Sequence, residues 1–168
     1  MRRRLLGGLV AALAAVGCGI GDNGLTGSLS EVFPLDVSTV AVLRNDQALA
    51  VQYQANRDRD IDLVLRFTVA LDELPELKAG ATVNLVGFTD GGVERASLLH
   101  QAAGEPTRTL PAVQIGTFHL DQGGNPGDVT SGSFSVSFVA DGSYGSGRGV
   151  TGTFHAVALD GGYGDWIP

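Results

Sequence analysis

Three kinds of side chain in this 168-residue chain have types and spacings that invite chemistry. Asp58, Asp60 and Asp62 alternate along RDRDID, and Asp121 and Asp128 bracket the turn QGGNPG. Carboxylate and carbonyl oxygens gathered in this way are what a hard cation such as Ca²⁺ takes as ligands. The spacing is not that of an EF-hand, whose turn glycine would fall on Leu63 and whose bidentate glutamate would fall on Val69. In an extended segment the three aspartates share one face, interleaved with Arg57 and Arg59. That pattern also describes a solvated, charge-balanced start to a strand. The histidines are His100, His119 and His155, with no closely spaced pair and no HExxH, so a zinc site has no local signature. His119 and His155 alternate with Phe118 and Phe154 and read as surface residues.

Nucleophile and phosphate motifs fare no better. Gly147 to Gly152, GRGVTG, matches GxGxxG by letter, but the following residues read as a strand where a nucleotide site needs a helix. The Ser143 and Ser146 surroundings do not fit GxSxG. Glu31, Glu94 and Glu105 are isolated carboxylates with no visible partner for glycoside hydrolysis. A Ser-His-Asp set could assemble only through the fold. Cys18 is the single cysteine, so no disulfide forms within the chain.

That cysteine has a context. Arg2, Arg3 and Arg4 precede an apolar, glycine-containing run from Leu5 to Val16, which ends Ala15-Val16-Gly17-Cys18. A basic start, a short apolar core and small residues at a cut site read as an export signal. Twelve such residues are too few to span a bilayer as a helix. The last four resemble the lipobox of bacterial lipoprotein precursors. The resemblance implies cleavage after residues 1–17, with Ala15, Val16 and Gly17 read by the peptidase and Cys18 acylated, palmitate included. It also implies a Gram-negative envelope location. Gly19, where an inner-membrane retention signal has Asp, points to the outer membrane; plain secretion or a periplasmic location is the alternative.

The chain carries 11 basic and 18 acidic residues; with three arginines in the leader, eight basic residues remain against 18 acidic, a balance of −10. Such a surface disfavours nucleic acid and anionic headgroups, so membrane association falls to the anchor. Residues 18–27, with GIGDNGLTG after the cysteine, read as a short tether. Residues 28–168 read as one domain.

Elements that could position any site are strands. The expected runs are Leu25 to Phe33, Val37 to Leu43, Leu49 to Gln54, Ile61 to Leu71, Thr82 to Phe88, Val93 to His100, Val113 to Leu120, Val129 to Val139 and Val150 to Leu159. They are rich in Val, Thr, Phe and Leu and are separated by Gly, Asn, Asp and Pro. Ile61, Leu63, Leu65, Phe67 and Val69 form the clearest period-two face, opposite Asp62, Arg66 and Thr68. Gln101 to Pro111 reads as an excursion loop, and Tyr163 and Trp166 as a cover for one end of the core. The expected class is all-β, an antiparallel sandwich of about eight to nine strands, with a closed lipocalin-like barrel as alternative. The expected role is a non-catalytic binding or structural module of the envelope, with another envelope protein, a glycan or an apolar ligand as candidate partner. An exported hydrolase, a Ca²⁺-dependent adhesion module and an apolar-ligand carrier are the alternatives. A hydrolase would need a concavity where a histidine meets a carboxylate or hydroxyl.

Overall fold

The computed structural model describes residues 23–57, 60–71, 77–162 and 164, with Arg57 by its backbone alone. The all-β expectation holds. Ten strands follow in order: β1 (Gly24–Thr26), β2 (Thr39–Arg44), β3 (Ala48–Arg57), β4 (Asp60–Ala70), β5 (Thr82–Asn84), β6 (Ala96–Gln101), β7 (Arg108–Thr109), β8 (Val113–Gln122), β9 (Val129–Phe138) and β10 (Gly149–Asp160).

The two layers are halves of one curled sheet, open like a half-barrel. Its neighbour order is β5-β8-β9-β10-β2-β3-β4-β6-β7, and β1 lies on the other edge of β10. β10 is the join. Gly149 to Val157 pair antiparallel with β9, and then Ala158, Leu159 and Asp160 pair parallel with Val42, Leu43 and Arg44 of β2. The other pairings between strands are antiparallel, and short turns join β2 to β3 and β8 to β9.

Between the halves lies an aromatic core. Phe67 of β4 stacks on Phe134 of β9 with centroids 4.3 Å apart and planes 6° apart. Phe118 lies 5.7 Å from Phe67 and 5.9 Å from Phe154, and Tyr53 meets Phe134 edge-on at 6.1 Å. All five rings are buried. Two glycines make room for them. The β9–β10 register sets Gly152 opposite Phe134 and Gly132 opposite Phe154, so each phenylalanine lies across the other strand's glycine. A Cβ at Gly152 would strike the Phe134 ring and the Tyr53 hydroxyl; one at Gly132 would strike the His119 carbonyl and the Phe154 ring. Aromatic cover of a strand glycine pins register as well as filling space.

Several expectations change in detail. Leu25 to Phe33 is not one strand. It breaks after β1 at Gly27, whose φ of 135° favours glycine and whose Cβ would strike the Gly149 carbonyl, and a 3-10 turn over Ser28–Glu31 follows. Thr82 to Phe88 keeps only three strand residues, because the Asn84 side chain accepts from Val86 N at 3.0 Å and turns the chain outward. The Asn45 turn between β2 and β3 forms as read: its Oδ1 accepts from Gln47 N at 2.9 Å and Ala48 N at 2.8 Å. In β4, Leu65, Phe67 and Val69 align with core residues Tyr53, Val51 and Leu49. The opposite face is not solvated: Asp62, Arg66 and Thr68 are also buried, and Arg66 donates to the Gly162 carbonyl. The roles read for Tyr163 and Trp166 lie outside the described residues.

Adding a methyl group where two rings already touch should overpack the core. Gly152→Ala is expected to lower unfolding stability by about 1–3 kcal/mol, with part recovered on adding Phe134→Leu; equilibrium urea melts measure both. Tyr53 supplies a pH test. Burial raises its pKa above the ordinary 10.0. The folded chain therefore holds this proton where the unfolded chain loses it, so stability is intact below about pH 10 and falls as pH rises beyond it. Tyr53→Phe should reduce that alkaline loss, while costing about 1 kcal/mol at neutral pH for the bond from its hydroxyl to the Thr153 carbonyl. Urea melts at neutral and alkaline pH measure the two effects.

Candidate functional site

The pairing of β3 with β4 slips at Tyr53/Gln54, and that of β4 with β6 slips between Leu63 and Arg66. Such irregularities re-aim side chains and interrupt a ladder. Beside them opens a cleft of about 290 Å³, walled by Phe33, Asp62, Val64, His100, Glu105 and Tyr144. Its residues come from five places: the segment after the 3-10 turn, β4, the end of β6, the excursion loop and the glycine-rich loop before β10.

Three roughly parallel rings form one wall. Phe33 and His100 stack at 3.9 Å, and Tyr144 lies 6.0 Å from Phe33 and 6.4 Å from His100. His100 is buried, and its Nδ1 sits 2.9 Å from the Val64 carbonyl. A carbonyl only accepts, so Nδ1 carries the proton and the neutral ring keeps a lone pair on Nε2. Nε2 has no hydrogen-bond partner among the described residues. Asp62 Oδ1 accepts from Ala103 N at 2.6 Å, which ties the excursion loop to β4. Arg108 pairs with Glu105 at 3.5 Å and sits over the Tyr144 ring, 5.0 Å from its centroid. Burial raises the Tyr144 pKa; Arg108 opposes the shift and Glu105 adds to it. The phenol therefore stays protonated through the neutral range.

Of the residues singled out in the sequence, Asp62, His100 and Glu105 line this cleft, and the others lie elsewhere. Asp60 is exposed at the start of β4, and Asp58 lies outside the described residues, as do Ala15, Val16, Gly17 and Cys18. Asp128 accepts from Asn125 N at 3.2 Å and from Asn125 Nδ2 at 3.1 Å, closing its own turn. Its carbonyl accepts from Ala158, beside Val42 of β2, whereas Asp62 pairs with Ala55, near the Gln54 partner of Thr39. The two acidic segments thus lie toward opposite ends of β2. Among the described residues, no three His, Cys, Asp or Glu side chains gather as a metal would require. Glu31 pairs with Arg148 at 2.9 Å, and Glu94 faces Phe88 in a bridge. Gly149 to Gly152 of the GxGxxG match lie in β10.

His119 and His155 are on the outer face of β8, β9 and β10, which is paved with hydroxyls. Asn84, Thr117, Ser135, Thr151 and Thr26 stand in one cross-strand row, and Thr82, His119, Ser133 and Thr153 in the next. A depression of about 360 Å³ lies between Asp121, Ser131, Ser133 and His155. Within this face Thr82 Oγ1 is 2.9 Å from His119 Nδ1, and His119 Nε2 is 3.3 Å from Asp121 Oδ1. The order is that of a nucleophile, base and orienting carboxylate. It sits in open solvent, with side-chain exposures of 44% for His119 and 57% for Asp121.

Sequence reasoning missed Phe33, Tyr144 and Arg108. The one available signal was an aromatic residue set among Gly and Ser in DGSYGSG, where a turn needs no ring. The tautomer is open to direct measurement. In ¹⁵N NMR at neutral imidazole, His100 should show a protonated Nδ1 and an unprotonated Nε2; the reverse would contradict the cleft geometry. The chain matches no family model, no curated protein and no solved structure.

Proposed function

We propose that this chain is a lipid-anchored module of a Gram-negative cell envelope, held in the outer membrane by acylated Cys18, whose domain binds a ligand without transforming it. The leader ending Ala15-Val16-Gly17-Cys18, with Gly19 after it, supports the anchor and its location. The ring-walled cleft carries the binding reading. It offers an imidazole acceptor, a protonated phenol and apolar ring surface, and no serine, threonine, cysteine or lysine is among the described residues that line it. Asp62 and Glu105 disfavour an anion, and Arg108 on Tyr144 disfavours a cation. The fitting ligand is a small neutral group that donates hydrogen bonds and has an apolar side, such as the terminal unit of a glycan or a small apolar molecule bearing a hydroxyl.

Metabolic palmitate labelling of wild type and Cys18→Ser, with membrane fractionation, tests the anchor. Label in the outer membrane, lost in the variant together with processing, is the expected result. A soluble, unlabelled product in both would overturn it. The Thr82–His119–Asp121 chain favours a second reading, an exported hydrolase, in which Thr82 attacks and His119 takes its proton. A panel of ester, glycoside and peptide substrates separates the two. Turnover abolished by His119→Ala would establish the hydrolase; turnover no higher than that of a heat-killed control leaves the binding module.

A further inference from the structure

Asn23 is clamped to β10. Asn23 Nδ2 donates to the His155 carbonyl at 3.3 Å, and Asn23 Oδ1 accepts from His155 N at 2.5 Å. From that point β1 runs antiparallel to β10, with Gly24 opposite Thr153 and Thr26 opposite Thr151, until Ser28 Oγ accepts from Gly149 N at 3.0 Å. The chain thus runs from Asn23 beside His155 to the 3-10 turn beside Gly149, roughly 20 Å away along the strand. Phe33 and Tyr144 lie five residues from Ser28 and from Gly149 respectively, so the cleft belongs to the Gly149 end. Past His155, away from the cleft, three aliphatic side chains stand on the outer face. Val157 is directly opposite Val129, and Leu159 is the next outward residue; they are 50%, 47% and 45% exposed.

Cys18 precedes Asn23 by five residues, a reach of at most ~17 Å. Surface near His155 is therefore the surface that such an anchor holds against lipid, at an effective concentration that lets a weak contact persist. We propose that the Val129–Val157–Leu159 face is a membrane-seating surface that rests on zwitterionic lipid and directs the cleft away from the bilayer. The inference rests on the acylated-Cys18 reading. The rim decides the lipid. Asp121, Asp128 and Asp160 are exposed around the patch, so anionic headgroups are repelled while the ammonium groups of a phosphatidylethanolamine surface are complementary.

The single cysteine makes the test clean, because acylation consumes its thiol. Full-length acylated protein carrying Val157→Cys, or Ser143→Cys at the cleft end, is labelled with a fluorophore in phosphatidylethanolamine–phosphatidylcholine vesicles that contain a spin-labelled quencher lipid. Quenching several-fold stronger at position 157 than at 143, and weakened by added phosphatidylglycerol, is the expected result. Equal quenching, or stronger quenching at 143, overturns the seating surface. Protection of position 157 from lipid-borne and water-soluble quenchers alike means a protein covers the patch, and also overturns it. Mass spectrometry of the N-terminal peptide separates the two levels: an unacylated Cys18 removes the anchor and the seating with it, whereas an acylated chain without quenching at 157 removes the seating alone.

Discussion

The fold depends on the stack of Phe67 on Phe134. These rings come from strands on the two halves of the sheet, and their contact is what turns one curled sheet into two facing layers. The contact is possible only because the backbone beneath Phe134 carries no side chain at Gly152. The exchange is reciprocal, with Phe154 lying across Gly132. A one-residue slip of β9 against β10 would separate each ring from its glycine and turn the rings of β9 out of the core. Packing and register are thus enforced by the same four residues.

The cleft follows from the same economy of space. β3 and β4 are buried on both faces, which leaves little freedom where their ladders slip. The irregularities near Asp62 and Val64 open a gap, and the segments that cross it supply its walls. His100 is then defined by what surrounds it: the Val64 carbonyl accepts a hydrogen bond from its Nδ1, and Phe33 covers one ring face. The hydroxyl rows on the other half have the opposite character, with regular pairing, shallow relief and mostly exposed side chains.

How much of this was legible depended on whether one side of a segment faces water. Ser133, Ser135 and Ser137 against Phe134, Val136 and Phe138 could be read directly, since solvent and core impose opposite preferences on alternate residues. In β4 the same logic set Asp62, Arg66 and Thr68 on the face opposite the apolar run, and the structure buries that face as well. Nothing local distinguishes a polar residue facing water from one facing another part of the chain. Gly27 gave no warning that it would divide the first strand, because the requirement comes from the Gly149 carbonyl across the sheet. The cleft was illegible for that reason as well: Phe33, His100 and Tyr144 are far apart in sequence and meet only after the sheet has curled. The continuity of the sheet through β10 was hidden too, since pairing both antiparallel and parallel leaves no period of its own.

That double role of β10 sets an order of events. The strand that bonds β9 on one side and β2 on the other is also the last of the described strands in chain order, so machinery that delivers the chain from its N-terminus delivers it after the other nine. Without residues 149–160, β2–β3–β4 and β8–β9 share no strand pairing and can meet only through side chains such as Phe67 and Phe134. Closing them requires contacts between segments more than a hundred residues apart, such as Val42 with Ala158, which is the slow kind of folding. The sheet is therefore continuous only once β10, the last of the described strands, has joined its two halves.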